Sequence, residues 1–316
     1  MKREEVQQKL LNVHKNEIVG SFFVNTADQD YILARIAHDG KMGNAFFWTA
    51  GQAIEKYLKA SLLLNGKSSI KDGNGKEYRH DLVRLFNDVN QYASDLFPER
   101  LTEPSQFEAP FWLEEAPLEF LERIKRYTNP DGRYNLFGCE LSSQDLFHLD
   151  QFVFAARRVA FRLDAYPYIT EPDPSLLSVF PSTVREKLMR HPEYQPRRDG
   201  RLDKIIKEGP NHALYDAALN SNYLFAPSDY KHKKIRLYPH SENSALWNAV
   251  GLPLDIFRQN PNRLNAEDAE PFAELADWIV ENIKLPKRLE DDLSKASTEF
   301  RERASSILSP KPKETQ

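Results

Sequence analysis

The sequence is short of several things, and each shortage excludes something. It holds one cysteine, Cys139, so no internal disulfide can form, which fits a reducing compartment. No cysteine pair and no His-x-x-x-His spacing is present, and His212, His232 and His240 follow no ligand pattern. No metal and no cofactor is expected. No apolar run approaches the roughly 20 residues that span a bilayer. The opening stretch, MKREEVQQKLLNVHKNE, is charged and amphipathic and lacks the apolar centre of a signal peptide. The expectation is a cytoplasmic protein without a membrane partner. No glycine-flanked nucleophilic serine occurs. "NGKSS" has the tail of a phosphate-binding loop, but Ser61 stands where that loop needs its first glycine.

What is present is charge and helical periodicity. The net charge of −4 is unevenly spread: residues 183–240 carry +5 and four of the eight histidines, against −5 before them and −4 after. Such a basic middle fits a nucleic-acid footprint, and equally a solvated surface, since acids interleave the bases. Val6, Leu10, Leu11 and Ile18 suggest a first amphipathic helix. Thr26 with Gln29 has the spacing of a capping box for a second helix ending near Gly40. A third runs from near Asn44 to the stop at Asn65-Gly66. Leu82, Leu85, Phe86 and Val89 make a stripe, and Ser142 with Asp145 caps another long helix. Arg157, Arg158 and Arg162 on that helix read as solvated charge.

Four prolines between 167 and 181 read as a linker. The expected fold is all-α: a helical bundle over 1–166, a linker at 167–182, a mainly helical domain over 183–308 and a disordered tail at 309–316. In the last domain "KKIRLYP" is a candidate strand. Asn265 would cap a helix faced by Phe272, Leu275, Ala276, Ile279 and Ile283. Leu289, Leu293, Ala296, Phe300 and Ile307 line a final one.

"QAIEKYLKASLLLNG" (52–66) carries a polar band. At about 100° per residue, Gln52, Glu55, Lys56 and Lys59 share one stripe, with Trp48 above it and Leu63 below. A polar band enclosed by apolar residues needs partners: another helix, a second subunit or a ligand.

With "ADQDY…AR" (27–35), "HDLVRLF" (80–86) and "RYTNPDGRYN" (126–135), this segment resembles the HEPN family of helical bundles over about residues 20–165. The resemblance implies an up-down bundle, nucleotide or RNA binding, pairing into homodimers through the bundle, and a setting in stress response or phage defence. Members with nuclease activity carry an arginine followed, four to six residues on, by a histidine. The resembling region lacks that motif, and only Arg185 and His191 have the spacing. A non-catalytic binder is thus the leading expectation. A metal-independent endoribonuclease using Arg185 and His191, or a dimeric interaction scaffold, are the alternatives. The candidate ligand residues are Lys56, Lys59, His80, Arg126 and Arg133. Beyond the linker, Tyr223, Phe225, Tyr230, Lys231, Lys233, Lys234 and Arg236 mix aromatics with bases, a composition that suits stacking on nucleobases or a loop packed by its own rings.

Overall fold

The third helix is apolar on nearly every side, and a helix of that kind must be surrounded. In the computed structural model it is the central element. The structure describes residues 3–106, 112–128, 138–166, 182–197, 200–233, 239–260 and 266–308. The described part is mostly helical, as the all-α expectation has it. The chain divides into two compact units, Met1–Thr128 with Leu141–His240, and Asn129–Glu140 with Ser241–Gln316.

In the first unit α1 (Arg3–Val19) and α2 (Asn25–Asp39) form one continuous rod, joined by a π-helical turn at Gly20–Val24. Thr26 does not cap a helix. It lies inside the rod, where its hydroxyl donates back to the carbonyls of Phe22 and Phe23, the alternative such residues find in mid-helix. Leu11 and Ile18, read as one apolar face, are both about half exposed.

The central helix α3 (Gly43–Leu64) packs against α1, α2, α4 (Leu82–Ala93), α5 (Pro117–Tyr127) and α6 (Ser143–Val159). Its Phe46, Phe47, Ile54, Tyr57, Leu58 and Leu62 are fully buried, as is the Leu82, Leu85 and Val89 stripe of α4. Gly66, at φ +75°, closes α3: Lys67 N–H donates to Leu62 O and Gly66 N–H to Leu63 O. This is the double-bonded stop for which glycine is preferred. The cap of α6 is also as expected, with Ser142 N–H donating to Asp145 at 2.6 Å.

The expected boundary at 167–182 does not divide the molecule. Its prolines lie outside the described residues, but α7 (Val184–Arg190), α8 (Arg201–Glu208) and α9 (Tyr215–Leu219) belong to the first unit. For α8 and α9, part of the reason is electrostatic. Arg157, expected in solvent, is buried between Asp28 of α2 and Asp203 of α8. Arg35 is buried against Asp150 and donates to the carbonyls of Ala217 and Asn220. A buried guanidinium needs carboxylates and carbonyls around it, and residues 203–220 supply them.

The second unit has its own core. α10 (Leu252–Gln259), α11 (Ala266–Asn282) and α12 (Lys287–Leu308) enclose Phe257, Ala269, Ala273, Ala276, Leu293 and Phe300. The final seam is buried at Leu293, Ala296 and Phe300, and the face of the helix before it is buried at Ala276 and Ile279, whereas its expected Ile283 is exposed. β1 (Cys139–Ser142) and β2 (Pro239–Glu242) pair in the only sheet among the described residues. The candidate strand "KKIRLYP" otherwise lies outside them, as do Asn265 and the tail.

Candidate functional site

The polar band of α3 is half-buried and internally paired. Glu55 is its hub: its carboxylate accepts from Lys59 at 2.6 Å and faces His80 Nδ1 at 3.0 Å. Lys56 pairs with Asp30 of α2. Lys59 also reaches the carbonyl of Arg79 at 3.4 Å. Arg79 is itself in the left-handed region, at φ 50°, and its side chain is exposed. The turn that precedes α4 is thereby drawn onto α3.

The end of α5 reaches the same face. Lys125 pairs with Asp81 at 2.9 Å, Tyr127 stacks on Phe47 with centroids 4.3 Å apart, and Thr128 lies over Gly51. Lys56, Lys59, His80 and Arg126 therefore stand on elements that converge, with Arg126 and the side chain of His80 exposed. Arg133 lies outside the described residues. The helix N-terminus beside His80 is not open to an anion. Asp81 caps α4 by accepting from Arg84 N–H, and although burial alone would raise its pKa, Lys125 and that N–H hold it below the usual value.

The aromatic-basic segment resolves into a row of rings. Phe147, Tyr223, His232, Tyr230 and Tyr215 follow one another at centroid distances of 6.5, 4.4, 5.0 and 5.5 Å. Phe225 is not part of its surface: it is buried against Tyr31, Phe154 and Tyr194. Asp216 holds the row's outer end, accepting from Tyr230 at 3.0 Å and Lys233 at 2.8 Å. Burial, helped by the nearby charge of Arg35, holds the His232 pKa below its ordinary value. Lys231 is exposed, and Lys234 and Arg236 lie outside the described residues.

Arg185 and His191 do not form a pair. Arg185 binds Asp95 at 2.6 Å and the carbonyl of Tyr92, while His191 faces Glu193 at 3.2 Å. Among the described residues no cluster of three metal-ligating side chains occurs. No helix among them is long and apolar enough to cross a membrane.

The groups that sequence reasoning missed are the buried ones: Asp28, Arg35, Asp150, Arg157 and Asp203. Asp28 accepts from Tyr57, from Arg157 at 3.0 Å and from Leu202 N–H at 2.9 Å. Burial alone would raise its pKa, but the Arg157 charge and these bonds hold it below the usual carboxylate value. Asp150 goes the other way: burial outweighs Arg35 and Tyr31, and its pKa is raised. Arg197 pairs with no carboxylate among the described residues; burial and the repulsion of Arg157 bring it down to about 10 while it donates to the carbonyls of Arg157 and Ala160 at the end of α6. No periodicity marks these positions. The one signal was polar residues at otherwise apolar helix positions. Comparison with protein-family models, curated proteins and solved structures finds no match.

Proposed function

We propose that this is a non-catalytic RNA- or nucleotide-binding protein of the HEPN type, contacting phosphate through the face built by α3, the turn at 79–81 and the end of α5. The observation that carries the reading is that Lys59 and His80 meet on Glu55, with Lys59 also on the Arg79 carbonyl, while the Lys125–Asp81 pair ties the end of α5, which bears exposed Arg126, to the same turn; Lys56 stands on the same helix, held by Asp30. Lysines fixed by internal carboxylates lose less side-chain freedom when a phosphate arrives. Arg126 supplies an exposed guanidinium suited to phosphate oxygens. The nuclease alternative lacks comparable support, because Arg185 is engaged by Asp95.

The test is binding of a mixed-sequence single-stranded RNA by the purified chain across a salt series. Affinity should fall with salt, and Arg126→Ala should reduce the slope of log K against log salt by about 0.7, one phosphate contact. Absence of salt-dependent binding at low ionic strength sinks the reading. A homodimer through the N-terminal bundle has one observation in its favour, the exposed apolar Leu11, Ile18 and Phe22 on the first rod. Light scattering of the same sample decides it.

A further inference from the structure

Two neighbouring arginines of α6 have different surroundings. Arg157 sits between two carboxylates, whereas none pairs with Arg158 among the described residues, and Glu193 attracts it only from a distance. Arg158 is partly buried. Its Nη2 donates to the carbonyls of Leu188 and, at 3.4 Å, His191, at the end of α7, and its Nε is enclosed with no hydrogen-bond partner. The guanidinium lies 5.3 Å from the centre of the Phe154 ring. The carbonyls and the ring fix its position but supply only partial charges, so the positive charge is left without a counter-ion. Burial accordingly holds the Arg158 pKa below its ordinary value.

Arg158 forms part of the wall of a cleft of about 400 Å³ between α6, α7, the stretch at 95–98 and Leu224. That volume falls within the roughly 300–1,000 Å³ of small-molecule sites. The rest of the wall is mainly apolar, with Phe97, Phe154, Leu188, Met189 and Leu224. Its other two polar side chains are occupied, Asp95 by Arg185 at 2.6 Å and Gln151 by both backbone groups of Thr102. A ligand with several negative charges would meet a single guanidinium and the Asp95 carboxylate. A neutral apolar ligand would strip water from Arg158 and give nothing back. One carboxylate on an apolar body suits both parts of the wall: its two oxygens match the guanidinium fork, and its chain covers the rings.

We propose that this cleft binds a small aliphatic monocarboxylic acid, with the carboxylate on Arg158 and the chain along Phe97, Phe154, Met189 and Leu224. The cleft shares no residue with the face of Lys56, Lys59, His80 and Arg126, and the proposal stands whether or not the protein binds RNA.

Calorimetric titration of the full chain with hexanoate, octanoate and decanoate, below their micellar concentrations, tests it. Affinity should rise about two- to fourfold for each added methylene, and octanoate should bind at least about fivefold more tightly than 1-octanol. Arg158→Gln should weaken octanoate binding by roughly tenfold. Arg158 also holds the end of α7, so the charge is varied independently at exposed Met189. Met189→Glu should weaken octanoate binding by roughly two- to fivefold and Met189→Lys should tighten it by as much, each at an unreduced melting temperature. If none of the three acids binds at millimolar concentration, the proposal is overturned. Equal binding of octanoate and 1-octanol, or octanoate binding unchanged in both Met189 variants, overturns it as well.

Discussion

At the scale of single residues this protein places charge where helical periodicity expects apolar side chains. Glu115, which lies outside any helix in the bridge with Leu101, shows what an enclosed charge does. Its carboxylate faces buried His148 at 3.1 Å and Arg123 at 2.7 Å, and Arg123 also pairs with Asp145. Burial alone would raise the Glu115 pKa, but hydrogen bonds from His148 and Arg123, with the Arg123 charge, bring it down to about 2 from its ordinary 4.5. A depressed folded-state pKa gives stability that is fully present above 4.5 and is lost as pH falls towards 2. Glu115→Gln should therefore cost about 1–2 kcal/mol at pH 6, allowing for partial solvent screening. The gap to wild type should shrink to roughly half or less at pH 3. Urea unfolding at the two pH values checks this, and an equal gap at both would refute it.

At the scale of elements, the crossing of α3 and α5 sets the geometry of the candidate face. Gly51 lets the two approach: a Cβ there would come within 2.3 Å of Thr128 Cγ2. Gly→Ala in a helix interior otherwise gains about 1 kcal/mol. Here the overlap, an overpacking of about 1–3 kcal/mol, should reverse the sign. Gly51→Ala is expected to lower the melting temperature, and to stop doing so in a Thr128→Ser background that lacks the offending methyl. A loss that persists in the double variant would place the cost elsewhere. The same element shows how far sequence reading reaches. The start of α3, its Gly66 stop and its apolar sides were all legible, since each is a local property of spacing and residue type. The Glu55–Lys59 pair is one helical turn apart and legible from spacing, but that Glu55 also faces His80 was not, because that depends on which turn arrives at that side.

At the scale of the whole molecule, the chain divides near residue 240 and not at the prolines. A fragment of residues 1–166 removes Asp203 from Arg157 and the carbonyls of Ala217 and Asn220 from Arg35. Each deletion leaves a buried guanidinium short of partners, at a cost of order 1–3 kcal/mol or more apiece. The fragment 1–166 should therefore melt without a sharp transition, or well below residues 1–240, which should unfold cooperatively. Circular dichroism melts of the two decide; an equally stable 1–166 would restore the boundary read from the prolines.

The sequence by itself determined the helical class, the central helix and its glycine stop, the α4 stripe and the α6 cap, because helix periodicity and capping act over a few residues. Only the tertiary structure decided that Arg35 and Arg157 lie in the core, that α7 to α9 belong with the N-terminal helices, and that Phe147 and Tyr223 stack on one another. Those facts depend on contacts between residues far apart in sequence, and on the need of every buried charge for a partner, which no local pattern encodes.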